Sequence, residues 1–83
     1  MNLNSPQGVY QTKDLYLASL LFTQHLKLIK LVKQENFFWF VFEDKTKAEE
    51  LSALFWNRNV LVDAKAYAEA VRCLKDMIFA RKE

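Results

Sequence analysis

The side chains able to do chemistry are few and scattered along the chain. It carries one histidine, one cysteine and ten aspartates and glutamates in 83 residues. His25 stands between Gln24 and Leu26 with no second imidazole anywhere in the sequence. A general base or metal ligand needs a positioned partner, so His25 reads as a turn residue at the mouth of a hairpin. Cys73 has no other thiol to pair with in a disulfide or a zinc site, and its nearest bases, Arg72 and Lys75, fall elsewhere around a helix. It reads as a small packing residue. Ser19 and Ser52 lie in helical sequence without a nucleophile elbow around them. Three carboxylates, Asp14, Glu43 and Asp44, fall at the ends of elements, and if they converged they could hold a divalent cation. Against that, Asp14 has a capping task, Glu43 and Asp44 point to opposite faces of a strand, and Lys27 is placed to neutralise Asp44. The single glycine, Gly8, leaves no phosphate-cradling loop and no dinucleotide fingerprint. The reading is of a chain that is not an enzyme, with no cofactor and no metal.

The elements centre on Phe37-Phe38-Trp39-Phe40-Val41-Phe42, six apolar residues of which five are aromatic. Aromatic and β-branched side chains suit a pleated surface, and six residues are too few to cross a bilayer, so this run is a buried strand. Leu26 to Gln34 reads as its partner strand, and Gln34-Glu35-Asn36 as the turn. Ahead of them, residues 1–9 contain the only proline and the only glycine and read as a flexible lead-in, with order beginning near Tyr10. Thr12 is placed to cap a helix from about Lys13 to Gln24, with Asp14 favoured by the helix dipole and Leu17, Ala18 and Leu21 on the buried stripe. Thr46-Lys47-Ala48-Glu49 has capping-box spacing and opens a second helix, about Lys47 to Asn57, burying Ala48, Leu51, Leu54 and Phe55. Val60 to Val62 reads as a packed extended connector, with room for a brief third strand. Asp63 caps a third helix, about Ala64 to Ala80, buried along Tyr67, Val71, Leu74 and Ile78. Residues 81–83 should fray.

The string Tyr10-x-Thr12-x-Asp14-x-x-Leu17-Ala18-x-x-Leu21, followed by a phenylalanine-rich hairpin and two helices, resembles a small domain family of unknown function from bacteria and their phages. The likeness covers about Tyr10 to Ile78. Where members often place a glycine after the first helix, this chain has Gln24-His25. The resemblance implies the same fold and a mobile-element origin, and it carries no activity. The fold class expected is α+β, a single domain over residues 10–80 in the order helix, strand, strand, helix, helix, with an antiparallel hairpin packed on the helices.

Register then divides the hairpin into two faces. A two-residue or four-residue turn places Ile29, Leu31, Phe38, Phe40 and Phe42 on one face, which is clean core. Leu28, Lys30, Val32, Phe37, Trp39, Val41 and Glu43 take the other, apolar but broken by charge. A three-residue turn, with Asn36 in a left-handed conformation, would exchange the two. Three uses of the second face stay open. Helix three or the Val60 to Val62 connector can wrap over it. It can form a protein interface, most simply with a second copy, through Lys30, Phe37, Trp39 and Val41. Or Trp39 and Lys30 can stack on and neutralise a single-stranded nucleic acid.

Composition narrows these choices a little. Net charge is +2, too small for a whole-domain argument about nucleic acid. Residues 1 to 34 carry four lysines against one aspartate and residues 35 to 50 two lysines against five acids, the alternation of a solvated surface. No helix-turn-helix or zinc-finger spacing is present. No apolar stretch reads as a membrane span or a signal, and a lone cysteine suits a reducing cytoplasm. The function these residues point to is a cytoplasmic protein-interaction module, with a weak nucleic-acid-binding accessory role as the alternative. The resemblance adds that it would serve a phage or mobile element.

Overall fold

The aromatic run is the middle strand of a three-stranded antiparallel sheet. The computed structural model describes residues 8–81 and runs β1 (Val9–Thr12), α1 (Leu15–Thr23), β2 (Leu28–Gln34), β3 (Phe37–Glu43), α2 (Lys45–Trp56) and α3 (Ala64–Arg81). The sheet order is β1-β3-β2. The α+β class and the hairpin packed on helices therefore hold, and a strand precedes the expected order.

That strand is a correction to the lead-in. Val9-Tyr10-Gln11-Thr12 pairs with β3 in the register Val9 to Glu43 and Thr12 to Phe40, which puts Tyr10 and Thr12 on the core side and Val9 and Gln11 on the other. Four residues carry too little periodicity to announce a strand. What makes them one is the unpaired edge that β3 offers. The rest of the expected lead-in, residues 1–7, and the expected fraying at residues 82 and 83 lie outside the described residues. Arg81 itself still belongs to α3.

Two helix starts also move. Asp14, rather than Thr12, is the N-cap of α1, its carboxylate accepting from the Tyr16 and Leu17 amides at 2.8 and 3.1 Å. Thr12 stands one step back, its hydroxyl accepting from the Asp14 amide at 3.1 Å. Asp44 caps α2 by accepting from the Lys47 amide at 3.2 Å, so Thr46 falls inside the first turn. In both cases a carboxylate near a helix start displaced a threonine as cap; aspartate is the better acceptor for free amides at the positive end of the dipole. Asp63 opens α3 as expected, accepting from Ala66 at 2.8 Å.

Both α1 and α2 end in Schellman turns without glycine. After α1, the His25 amide donates to Phe22 O and the Leu26 amide to Leu21 O, with His25 at φ 70°. After α2, Arg58 donates to Phe55 O and Asn59 to Leu54 O, with Arg58 at φ 59°. His25 thus holds the left-handed position for which glycine is the usual residue. Its role is the turn, one step before Leu26 enters the core at 7% exposure.

The core lies on one side of the sheet. Phe38, Phe40 and Phe42 pack with Leu17, Leu20, Leu21, Ala48 and Leu74, and the connector contributes Val60 and Val62. Leu61 between them is 95% exposed, and the connector forms no strand. Leu54, expected in the core, is 41% exposed, whereas Leu51 and Phe55 do pack against it. Tyr67 ties α3 to α1 by donating to Tyr16 O at 2.9 Å. Burial raises the Tyr67 phenol above its ordinary pKa, with Asp14 and Tyr16 adding to the effect.

Candidate functional site

The second face of the sheet is left uncovered among the described residues. Helix three and the connector both pack on the core side, with Val60, Val62, Tyr67, Met77 and Ile78 against the buried cluster, so neither wraps over the other face. That disposes of the internal-cover expectation. The turn geometry sets which residues face outward. Gln34 pairs with Phe37 across a two-residue turn whose first residue, Glu35, has φ 54°, a position that type II′ hairpins usually give to glycine. The left-handed residue is Glu35, not Asn36, and the even register holds.

One irregularity changes the partition. Leu28 lies opposite Phe42 and Lys30 opposite Val41, so Ile29 is an extra residue on β2, a bulge. Before the bulge the faces exchange. Leu28 joins the core side and packs against it, while Ile29, expected in the core, is 40% exposed. A bulge has no sequence mark here; Leu28 and Ile29 are adjacent and both apolar, so either can face the core.

The four expected contact residues do share the open face, with unequal access. Lys30 is exposed and Phe37 and Trp39 are half-buried. Val41 is buried at 4%, because it lies in the central strand with Gln11 on one side and Lys30 on the other. It is a floor for the surface and is not free to touch a partner. Trp39 is held in place: its indole N–H donates to Gln34 Oε1 at 2.7 Å, and the Phe37 ring meets it edge-on at 5.6 Å. Lys13 Nζ sits 4.8 Å from the centre of the Phe37 ring, a cation–π contact that no spacing announces, since its residues are 24 apart. Val9, Gln11 and Val32 complete the surface. The first two were missed with β1; the only trace in sequence is the short alternation Val-Tyr-Gln-Thr. A shallow groove of about 610 Å³ runs across this face from Gln34 and Trp39 to Val9, and reaches Lys45 and Glu49 of α2.

The polar residues do not assemble a second site. Asp14 follows the β1 end that pairs with Phe40, whereas Glu43 pairs with Val9 at the other end and Asp44 follows it, so the strand length separates Asp14 from the other two carboxylates. Among the described residues no group of three or more His, Cys, Asp and Glu side chains is placed to hold a metal ion. Ser19 is buried with its hydroxyl donating to Leu15 O at 2.8 Å, and Ser52 accepts from the Tyr10 hydroxyl at 3.2 Å, fastening β1 to α2. Trp56 lies edge-on to Phe55 at 4.9 Å, is 61% exposed and does not line the groove beside Trp39. No helix among the described residues is long and apolar enough to cross a membrane.

The described residues form a small α+β domain with one sheet surface packed by helices and the other left open among them. By sequence, residues 7–80 match the model of a domain of unknown function, DUF5659, and the chain belongs to that family. No curated protein and no solved structure matches it.

Proposed function

We propose that this domain is a non-enzymatic protein-interaction module that presents the open face of its sheet to a partner, in the first place a second copy of itself. The observation that carries the reading is Trp39. It is an aromatic side chain on a face that no helix covers among the described residues, held by Gln34 and Phe37. Rigid aromatics in such positions supply much of the energy of protein contacts. The ends of the face favour a two-fold arrangement: Lys13 lies by Phe37 at one end and Glu43 closes the other, so antiparallel stacking of two copies brings opposite charges together. Size limits the strength. Two strands of seven residues and one of four, about 4.8 Å apart, make a plate of roughly 290 Å², below the ~800 Å² per partner of a standard stable interface. The contact is therefore reversible rather than obligate.

Light scattering on the purified chain at several concentrations, at low and high salt, tests this. Mass should rise toward the dimer with concentration, persist in salt and fall to the monomer in Trp39→Ala. A monomer throughout overturns self-association and leaves the face to a different protein, to be sought by pull-down with Trp39→Ala as control. The second reading, a weak nucleic-acid-binding accessory, is favoured by Lys13, which joins Lys30 beside the aromatic strip. It predicts retention of single strands that collapses as salt rises, with a smaller salt slope in Lys30→Ala. Action in the cytoplasm, and in the service of a phage or mobile element, belongs to the same proposal and is supported only by the lone cysteine and the family likeness.

A further inference from the structure

We propose a second contact surface, distinct from the open face: the free edge of β2 binds an extended acidic segment of another protein as a fourth strand. Among the described residues the sheet order leaves β2 hydrogen-bonded on one side only, while β1, the opposite edge, is flanked by α2 through the Tyr10–Ser52 bond. Beside the β2 edge lies a mostly apolar groove of about 310 Å³, walled by Leu28, Ile29 and Leu31 on the strand and by Met77, Ala80 and Arg81 near the end of α3. An edge strand running beside a helix is the arrangement in which added strands dock: the backbone supplies hydrogen bonds, and alternate side chains enter the groove. The bulge contributes by turning Ile29 outward onto the groove wall.

Charge selects the occupant. From Leu26 to Gln34 the chain has Lys27, Lys30 and Lys33 and no acid, and all three lysines are exposed. Arg81 adds a fourth positive charge across the groove. Lysines on an edge strand guard it against pairing with its own kind; two β2 edges side by side would gather six of them along one seam. The same lysines attract a strand that alternates acidic and apolar residues: its apolar side chains enter the groove on the helix side, and its carboxylates, on the opposite face, lie beside Lys30.

The probe is a capped ten-residue peptide of alternating glutamate and valine, titrated into the ¹⁵N-labelled chain. Controls are the lysine–valine peptide and an analogue N-methylated at every second residue. The glutamate peptide should shift the amides of Lys30 to Gln34 and of Met77 to Arg81, and should bind more weakly as salt rises. Lys30→Glu, on an exposed side chain of the face the carboxylates take, should weaken it roughly fivefold, and more than Arg81→Glu does. The N-methylated analogue should not bind. Shifts centred on Trp39, equal binding of the lysine peptide, no shifts at millimolar peptide, or a β2 edge already protected from exchange in a dimer of the free chain would each overturn the proposal. Trp39→Ala should leave this binding intact, so the result stands apart from the fate of the open face.

Discussion

The two faces of β3 carry nearly the same side chains to opposite ends. Phe38, Phe40 and Phe42 look into the helices and are 7%, 1% and 0% exposed. Phe37 and Trp39, one residue out of phase, look away from them and stay half-buried. Aromatic content therefore does not decide what a residue does in this strand. What decides it is which side the helices occupy, and that follows from the capping and turn residues that direct α1, α2 and α3 to a common side. The packed face holds the fold; the bare face is left with a rigid aromatic pair and nothing among the described residues to cover it.

Substitutions on the two faces should separate these roles. Phe40→Ala empties the centre of the core and should lower unfolding free energy by about 3–5 kcal/mol, measured by urea denaturation. If the loss were under about 1 kcal/mol, the distinction between the faces would fail. Val41→Ala tests the one residue that belongs to the open face yet is buried; a loss of about 2 kcal/mol would mark it as floor. Tyr67→Phe removes a bond within the covering layer and should cost about 1 kcal/mol at neutral pH. Because folding raises the Tyr67 pKa, the folded chain holds that proton more tightly than the unfolded one. Its contribution is complete below the unfolded phenol pKa and is lost as pH rises through the folded value, so the wild-type advantage over Tyr67→Phe should shrink under strongly alkaline conditions, as thermal melts from pH 8 to 11 would report. Lys13→Ala breaks only an exposed cation–π contact and should change stability by about 0.5 kcal/mol.

Much of the packed side was legible in sequence because it repeats. The helical spacing of Leu17, Leu21 and Leu74 and the alternation of Phe38, Phe40 and Phe42 each point one way, and those residues are core. The misreadings fall where a single residue breaks the period or where only a distant partner creates the element. Ile29 is extra in β2 and reverses the faces before it. Val9 to Thr12 becomes a strand through the free edge of β3 and not through its own propensity. The turn at His25 was legible, but the left-handed conformation of His25 and Arg58 was not: glycine is the usual signal for it, and this chain places other residues there. On the open face, Lys30, Phe37 and Trp39 were readable from register alone. The anchoring of Trp39 by Gln34 and the approach of Lys13 to Phe37 depend on side-chain placement across the sheet, which no spacing encodes.

The measurement that bears most directly on the division between the faces is the solution mass of the wild-type chain and of Trp39→Ala, by light scattering across concentration, paired with the unfolding free energy of each. The wild type should show a salt-resistant rise toward the dimer, Trp39→Ala should stay a monomer, and the two should differ in stability by less than about 1 kcal/mol. A wild-type chain that stays monomeric, together with a Trp39→Ala loss as large as that of Phe40→Ala, would contradict that division: Trp39 would then be a core residue, and the sheet would have no bare face to offer.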